Sequence, residues 1–128
     1  MSIIYRIQQD NRRQSPYPGK YFGHAVNMGT ISTEEVARMI ERNCSVKRSD
    51  VMAVIIELGD VMRQLLGDSH RVRLKGIGSF MPSITGRPCD TPQEYGMRHI
   101  KGVKVNFKAD RDIVPDTECE PLPAYVRK

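Results

Sequence analysis

Three observations predict an α+β fold in one main domain. A capping box and helical spacing mark a pair of consecutive helices, strict alternation marks strands after them, and extended segments precede both. The elements expected in order are N-terminal extended segments, a helical hairpin, a β-sheet and a short C-terminal helical turn.

Residues 3 to 8 alternate loosely and read as a strand, and Lys20 to Asn27 is again rich in aromatic and β-branched residues. Between them, Asp10 to Gly19 holds Asn, two Arg, Ser, two Pro and Gly, so the opening reads as two strands joined by a basic loop. Arg12 and Arg13 are expected to be solvated there, with no assigned contact.

Ser32 followed by Glu35 is an S-x-x-E capping box, in which each side chain can satisfy a free backbone N–H at a helix start. Val36, Met39, Ile40 and Cys44 then recur at helical spacing, which predicts a short amphipathic helix ending near Asn43. Ser45 or Ser49 can cap a second helix. Its apolar residues, among them Val51, Val54, Ile55, Leu58, Val61, Met62 and Leu65, cover far more than one stripe. A surface helix needs an apolar face little more than a quarter-turn wide, so this helix must be covered on several sides. The inference is a subunit interface along it; burial under the N-terminal strands is the alternative.

Gly67-Asp68 ends the helix, and Arg71-Val72-Arg73-Leu74-Lys75 alternates strictly, turning Val72 and Leu74 inward and three cations outward. Gly76-Ile77-Gly78 supplies a tight turn into Ser79 to Ile84, and the next long strand is Val103 to Lys108, where Lys104 and Lys108 alternate with apolar residues. Thr85 to His99 contains Gly86, Pro88, Pro92 and Gly96 without clean alternation, and is expected to be a mobile excursion from the sheet. After Phe107 only a short helical turn fits before Pro115, and 114–128 reads as a Pro-broken, weakly packed tail following a domain over 1–113.

Composition narrows the function classes. The 128 residues carry 20 Lys+Arg against 15 Asp+Glu, a net charge of +5, which favours polyanionic partners without naming one. The charge is concentrated: between residues 70 and 111 nine cations (Arg71, Arg73, Lys75, Arg87, Arg98, Lys101, Lys104, Lys108 and Arg111) face three acids, a net of +6. Cations at alternate strand positions share one side of a sheet and form a surface suited to phosphates.

Other chemistry is not signalled. Nucleophile elbow, P-loop and H-E-x-x-H are all missing, and His24, His70 and His99 stand apart from one another, so no enzyme activity, cofactor or small-molecule substrate is expected. Cys44, Cys89 and Cys119 are odd in number and widely spaced, which argues against a disulfide framework or metal site and for a reducing cytoplasm. Neither signal peptide nor membrane span is expected, since no apolar run approaches about 18 residues.

The order of elements and the ungapped Val72-Arg73-Leu74-Lys75-Gly76-Ile77-Gly78-Ser79-Phe80 resemble the strand and G-F-G-T-F turn of the HU and integration-host-factor superfamily. Asp50, Ala53, Val54, Ile55, Leu58 and Leu66 match that family's second helix in the same register. The opening (Tyr5, Lys20-Tyr21-Phe22, Gly29-Thr30-Ile31) and Ile100 to Phe107 are similar to the longer, histone-like HU relatives of Bacteroides-type bacteria.

The resemblance implies a homodimer on a helical base, with Phe80 joining Val51, Val54, Ile55, Leu58, Val61, Met62 and Leu65 at the interface. Above the base it implies a β-sheet saddle with arms that bind double-stranded DNA with little sequence specificity. The nine cations and Pro88 are the expected DNA contacts. The family's Asn-Pro arm tip is absent, Gly86-Arg87-Pro88 being its nearest remnant, and the arm and third helix are shortened. A winged-helix regulator is the weaker rival, because the exposed ridge of the second helix (Asp50, Glu57, Asp60, Gln64) is acidic and polar. An HU-like dimer reused as a protein-interaction scaffold is the other alternative.

Overall fold

The computed structural model describes residues 1–123, and its elements follow the expected order. The strands β1 (Ser2–Gln9) and β2 (Tyr21–Ala25) precede the helices α1 (Thr33–Asn43) and α2 (Arg48–Gly67). Then come β3 (Val72–Leu74), β4 (Gly78–Gly86), β5 (Ile100–Ala109) and β6 (Glu118–Pro121). A 3-10 turn at Arg111–Ile113 is the predicted C-terminal helical turn. The class is α+β. The strands form two three-stranded sheets, ordered β2-β1-β6 and β3-β4-β5.

Two structural units result, Met1–Ser32 with the chain from Asp116 onward, and Thr33–Pro115. In the first, β1 and β2 form an antiparallel hairpin whose loop is closed by Asp10 N–H donating to Lys20 O (2.8 Å) and Gly19 N–H donating to Asp10 O (3.0 Å). The expected weak tail takes a different course here. Glu118–Pro121 adds to β1 in parallel, Ser2 opposite Glu118 and Tyr5 opposite Pro121, and Leu122 N–H donates to Tyr5 O. Flanking prolines made this segment look broken, but Pro115 and Pro121 bound the strand and leave Glu118 to Glu120 free to pair. Residues 124–128 of the expected tail lie outside the described residues.

In the second unit α1 and α2 form the helical hairpin. Neither serine caps α2. Its N-cap is Lys47, whose side chain makes no capping bond, and the Arg48 N–H instead donates to the Glu41 carboxylate on α1. A carboxylate suits the positive end of a helix and at the same time ties the two helices together.

β3, β4 and β5 are antiparallel. Gly76 sits at the β3–β4 turn with φ +82°, a left-handed conformation natural to glycine. Gly78 is required for another reason: a Cβ there would collide with the Lys108 carbonyl and the Phe107 ring. That close approach lets the Phe80 and Phe107 rings pack at 4.9 Å.

One chain alone does not build a hydrophobic core. Among the described residues only Ala37 and Val51 are buried apolar side chains, while Val54 is 64% and Val103 74% exposed. Burying one such side chain is worth about 1.5–3 kcal/mol, so the single chain leaves much apolar stabilisation unused.

Candidate nucleic-acid interface

Strand register sorts the side chains of the β3-β4-β5 sheet. Arg73 lies opposite Ser79, and Ser79 opposite Lys108; Met81 faces Asn106, and Ser83 faces Lys104. Directly paired residues of antiparallel strands share a face. One side therefore carries Arg73, Lys104 and Lys108 among Ser79, Ser83, Asn106 and the single large apolar side chain Met81. The other carries Val72, Leu74, Phe80, Pro82, Ile84, Val103, Val105 and Phe107, without a charged group.

Not every cation expected on the sheet stands on it. β3 is only three residues long, so Arg71 precedes it, Lys75 belongs to the following turn, and Arg73 alone faces outward from this strand. Lys101 stands at an irregularity where the β4–β5 register shifts beyond Thr85. Arg111 lies in the 3-10 turn after β5. All of these side chains are exposed.

Arg73 also has an internal ion-pair partner. Its Nη2 donates to Asp110 Oδ2 at 3.2 Å, and the same oxygen accepts the Gly76 N–H at 2.9 Å. The half-buried Asp110 thus joins the end of β5 to the β3–β4 turn and holds Arg73 at the sheet's root. Sequence reasoning missed Asp110, which follows β5 by one residue and carries no local signature of a partner 37 positions upstream.

Arg87, Pro88 and Arg98 lie beyond the sheet, in the segment expected to be a mobile excursion. It contains hydrogen-bonded turns instead. Arg87 N–H donates to His99 O at 2.7 Å, the Arg87 guanidinium donates to Arg98 O, and Gly96 N–H donates to His99 Nδ1. Tyr95 stacks on His99 at 5.1 Å, and 3-10 turns occupy Pro92–Glu94 and Met97–His99. The β4–β5 arm closes at the Gly86–Ile100 pair, leaving the Arg87 and Arg98 side chains exposed at its end.

The apolar face of this sheet and α2 border an open groove of about 520 Å³ lined by Gly59, Met62, Leu66, Pro82, Val103 and Val105. Of the expected interface residues, Val54, Val61 and Leu65 are exposed in the single chain; Ile55, Leu58, Met62 and Phe80 are half-buried. Val51 is 7% exposed within the single chain, near the start of α2.

Among the described residues no three His, Cys, Asp or Glu side chains gather as a metal site, and no helix is long and apolar enough to cross a membrane. The three cysteines are unpaired.

A helical hairpin followed by a three-stranded sheet with one basic and one apolar face defines an HU-like protein. Residues 1–119 match the family HU-HIG, described as an HU domain fused to a wHTH, Ig or glycine-rich motif, and the chain belongs to this family. No curated protein matches it. A structure from Bacteroides vulgatus, described as that of a candidate bacterial DNA-binding protein, superposes with a TM-score of 0.71 at 14% identity over 94% of this chain. This chain spans 48% of that protein's length. The Anabaena HU protein in its DNA cocrystal aligns over 64% of this chain and 91% of its own, with a TM-score of 0.49 and 17% identity.

Proposed function

We propose that this protein is a non-enzymatic, nucleoid-associated binder of duplex DNA that acts as a homodimer in the bacterial cytoplasm. The observation that carries this reading is the two-faced β3-β4-β5 sheet, with Arg73, Lys104 and Lys108 on one side and an uninterrupted apolar surface on the other. A second copy covering the apolar surface and the exposed side of α2 would leave the basic face outward. Lysines on strands meet the phosphate backbone without reading base edges, so affinity depends on salt and little on sequence.

The arm end contributes structure preference. Arg87 and Pro88 close a short arm without an Asn-Pro tip, so their replacement should reduce any preference for nicked or bent DNA more than binding to a straight duplex. The direct test titrates the full chain with several unrelated duplexes at increasing salt. The reading expects similar affinities across sequences and a log-affinity slope of about −0.9 per neutralised phosphate. A shallow slope, or no binding while the dimer is intact, would favour an interaction scaffold.

A further inference from the structure

The loop of the β1–β2 hairpin, expected to be merely solvated, contains an organised arginine. Asp10 is 8% exposed and its carboxylate is filled with donors: Arg12 N–H at 3.1 Å, Arg12 Nε at 3.0 Å, Arg12 Nη2 at 3.1 Å and the Ser15 hydroxyl. Donation from the Arg12 guanidinium, then from Ser15, holds the Asp10 carboxyl well below the usual carboxylate range. The carboxylate grips one edge of the guanidinium in the two-pronged geometry that fixes its plane. The rest of the side chain stays outward, with Arg12 77% exposed.

Arg12 lines two open depressions in this unit. One, about 730 Å³, is lined by Gln8, Asn11, Phe22 and His24 among others; the second, about 550 Å³, is lined by Arg13, Gln14, Ser15 and Pro16 with Arg12. Charge here is predominantly positive. Residues 1–32 contain four Lys or Arg and a single acid, Asp10, whose charge is already engaged internally. The other acids of this unit are Asp116, Glu118 and Glu120, of which Glu118 and Glu120 sit on β6 beside the opposite end of β1.

We propose that the β1–β2 hairpin end is a second phosphate-binding surface of the chain, in which Asp10 holds Arg12 ready for a DNA backbone phosphate and Arg13 and Lys20 add charge. The inference rests on the DNA-binding reading above. A guanidinium fixed before contact loses little further freedom on binding, and amides such as Gln8 and Asn11 are suited to phosphate and sugar oxygens.

The test maps arginine modification by phenylglyoxal, read by mass spectrometry, on the full chain with and without saturating duplex. Arg12 and Arg13 should be protected several-fold along with Arg73, whereas the exposed Arg42 at the end of α1 should not change. Alongside, Arg13→Glu with Lys20→Glu, which leaves the Asp10–Arg12 pair intact, should flatten the log-affinity versus log-salt slope by up to about 1.8, or 0.9 for each lost contact. If Arg73 is protected while Arg12 and Arg13 react as in free protein, the second surface is overturned and the basic sheet face stands. If duplex protects none of the three, both fail together.

Discussion

The two three-stranded sheets solve the same problem differently. In β3-β4-β5 every pairing is antiparallel and joins strands adjacent in sequence, and the register gathers charge on one face and apolar residues on the other. In β2-β1-β6 a local hairpin is completed by a parallel strand from the far end of the chain, and Arg12, Arg13 and Lys20 gather in the hairpin loop. One sheet displays charge through alternation; the other displays it through a turn held by a buried carboxylate. A basic surface can therefore be built by strand periodicity, which runs the length of a segment, or by a side-chain network, which leaves only a local trace in the sequence.

The sharpest way to break this comparison is to remove the support beneath the basic face. Val54 is exposed in the single chain, so Val54→Asp should be tolerated by an isolated protomer yet place an unpaired charge in the proposed dimer interface. The expected outcome in sedimentation is loss of the dimer, with a large fall in melting temperature because the protomer lacks a core of its own. A dimer of unchanged stability would remove α2 from the interface.

Gly78→Ala probes the β3-β4-β5 sheet itself. Its new methyl group meets the Lys108 backbone and the Phe107 ring, and the expected cost is about 1–3 kcal/mol in thermal or denaturant unfolding.

How legible each region was follows from how local its contacts are. The alternation around Arg73 and from Val103 to Lys108 identified the basic face, and the all-round apolar pattern of α2 identified an uncovered helix before any coordinates. The limits of β3 were not legible: five alternating residues suggested three outward cations, but the turn consumed Lys75 and pairing began only at Val72. β6 was invisible because four residues that end on a proline carry little periodicity and their partner lies over a hundred positions away. The Asp10 network did leave a trace, since an aspartate opening a Pro- and Gly-rich loop commonly accepts the N–H two residues on, as Arg12 shows.

A smaller effect distinguishes the sheets by pH. Asp10 has its folded pKa depressed, so its contribution to stability is present above the unfolded value of about 3.9 and is lost as pH falls through the folded one. Acid titration of the wild type should loosen the β1–β2 loop, followed by the Tyr17 and Phe22 signals that pack together there at 6.0 Å, and Asp10→Asn should flatten this limb. An identical acid limb in the variant would show that the carboxylate contributes nothing to the loop. The smallest expected effect is none: chelator should leave the melting temperature unchanged, and a large drop would reveal a metal site among the scattered Cys and His residues.

The basic face of β3-β4-β5 is tested most directly by Lys104→Glu with Lys108→Glu, two exposed residues of β5 with no ion-pair partner among the described residues. Duplex affinity is measured from low to high salt, with the dimer verified in the same samples. The account predicts weaker binding to every sequence and a slope flattened by up to about 1.8. Wild-type affinity and slope in a folded, dimeric double variant would contradict it.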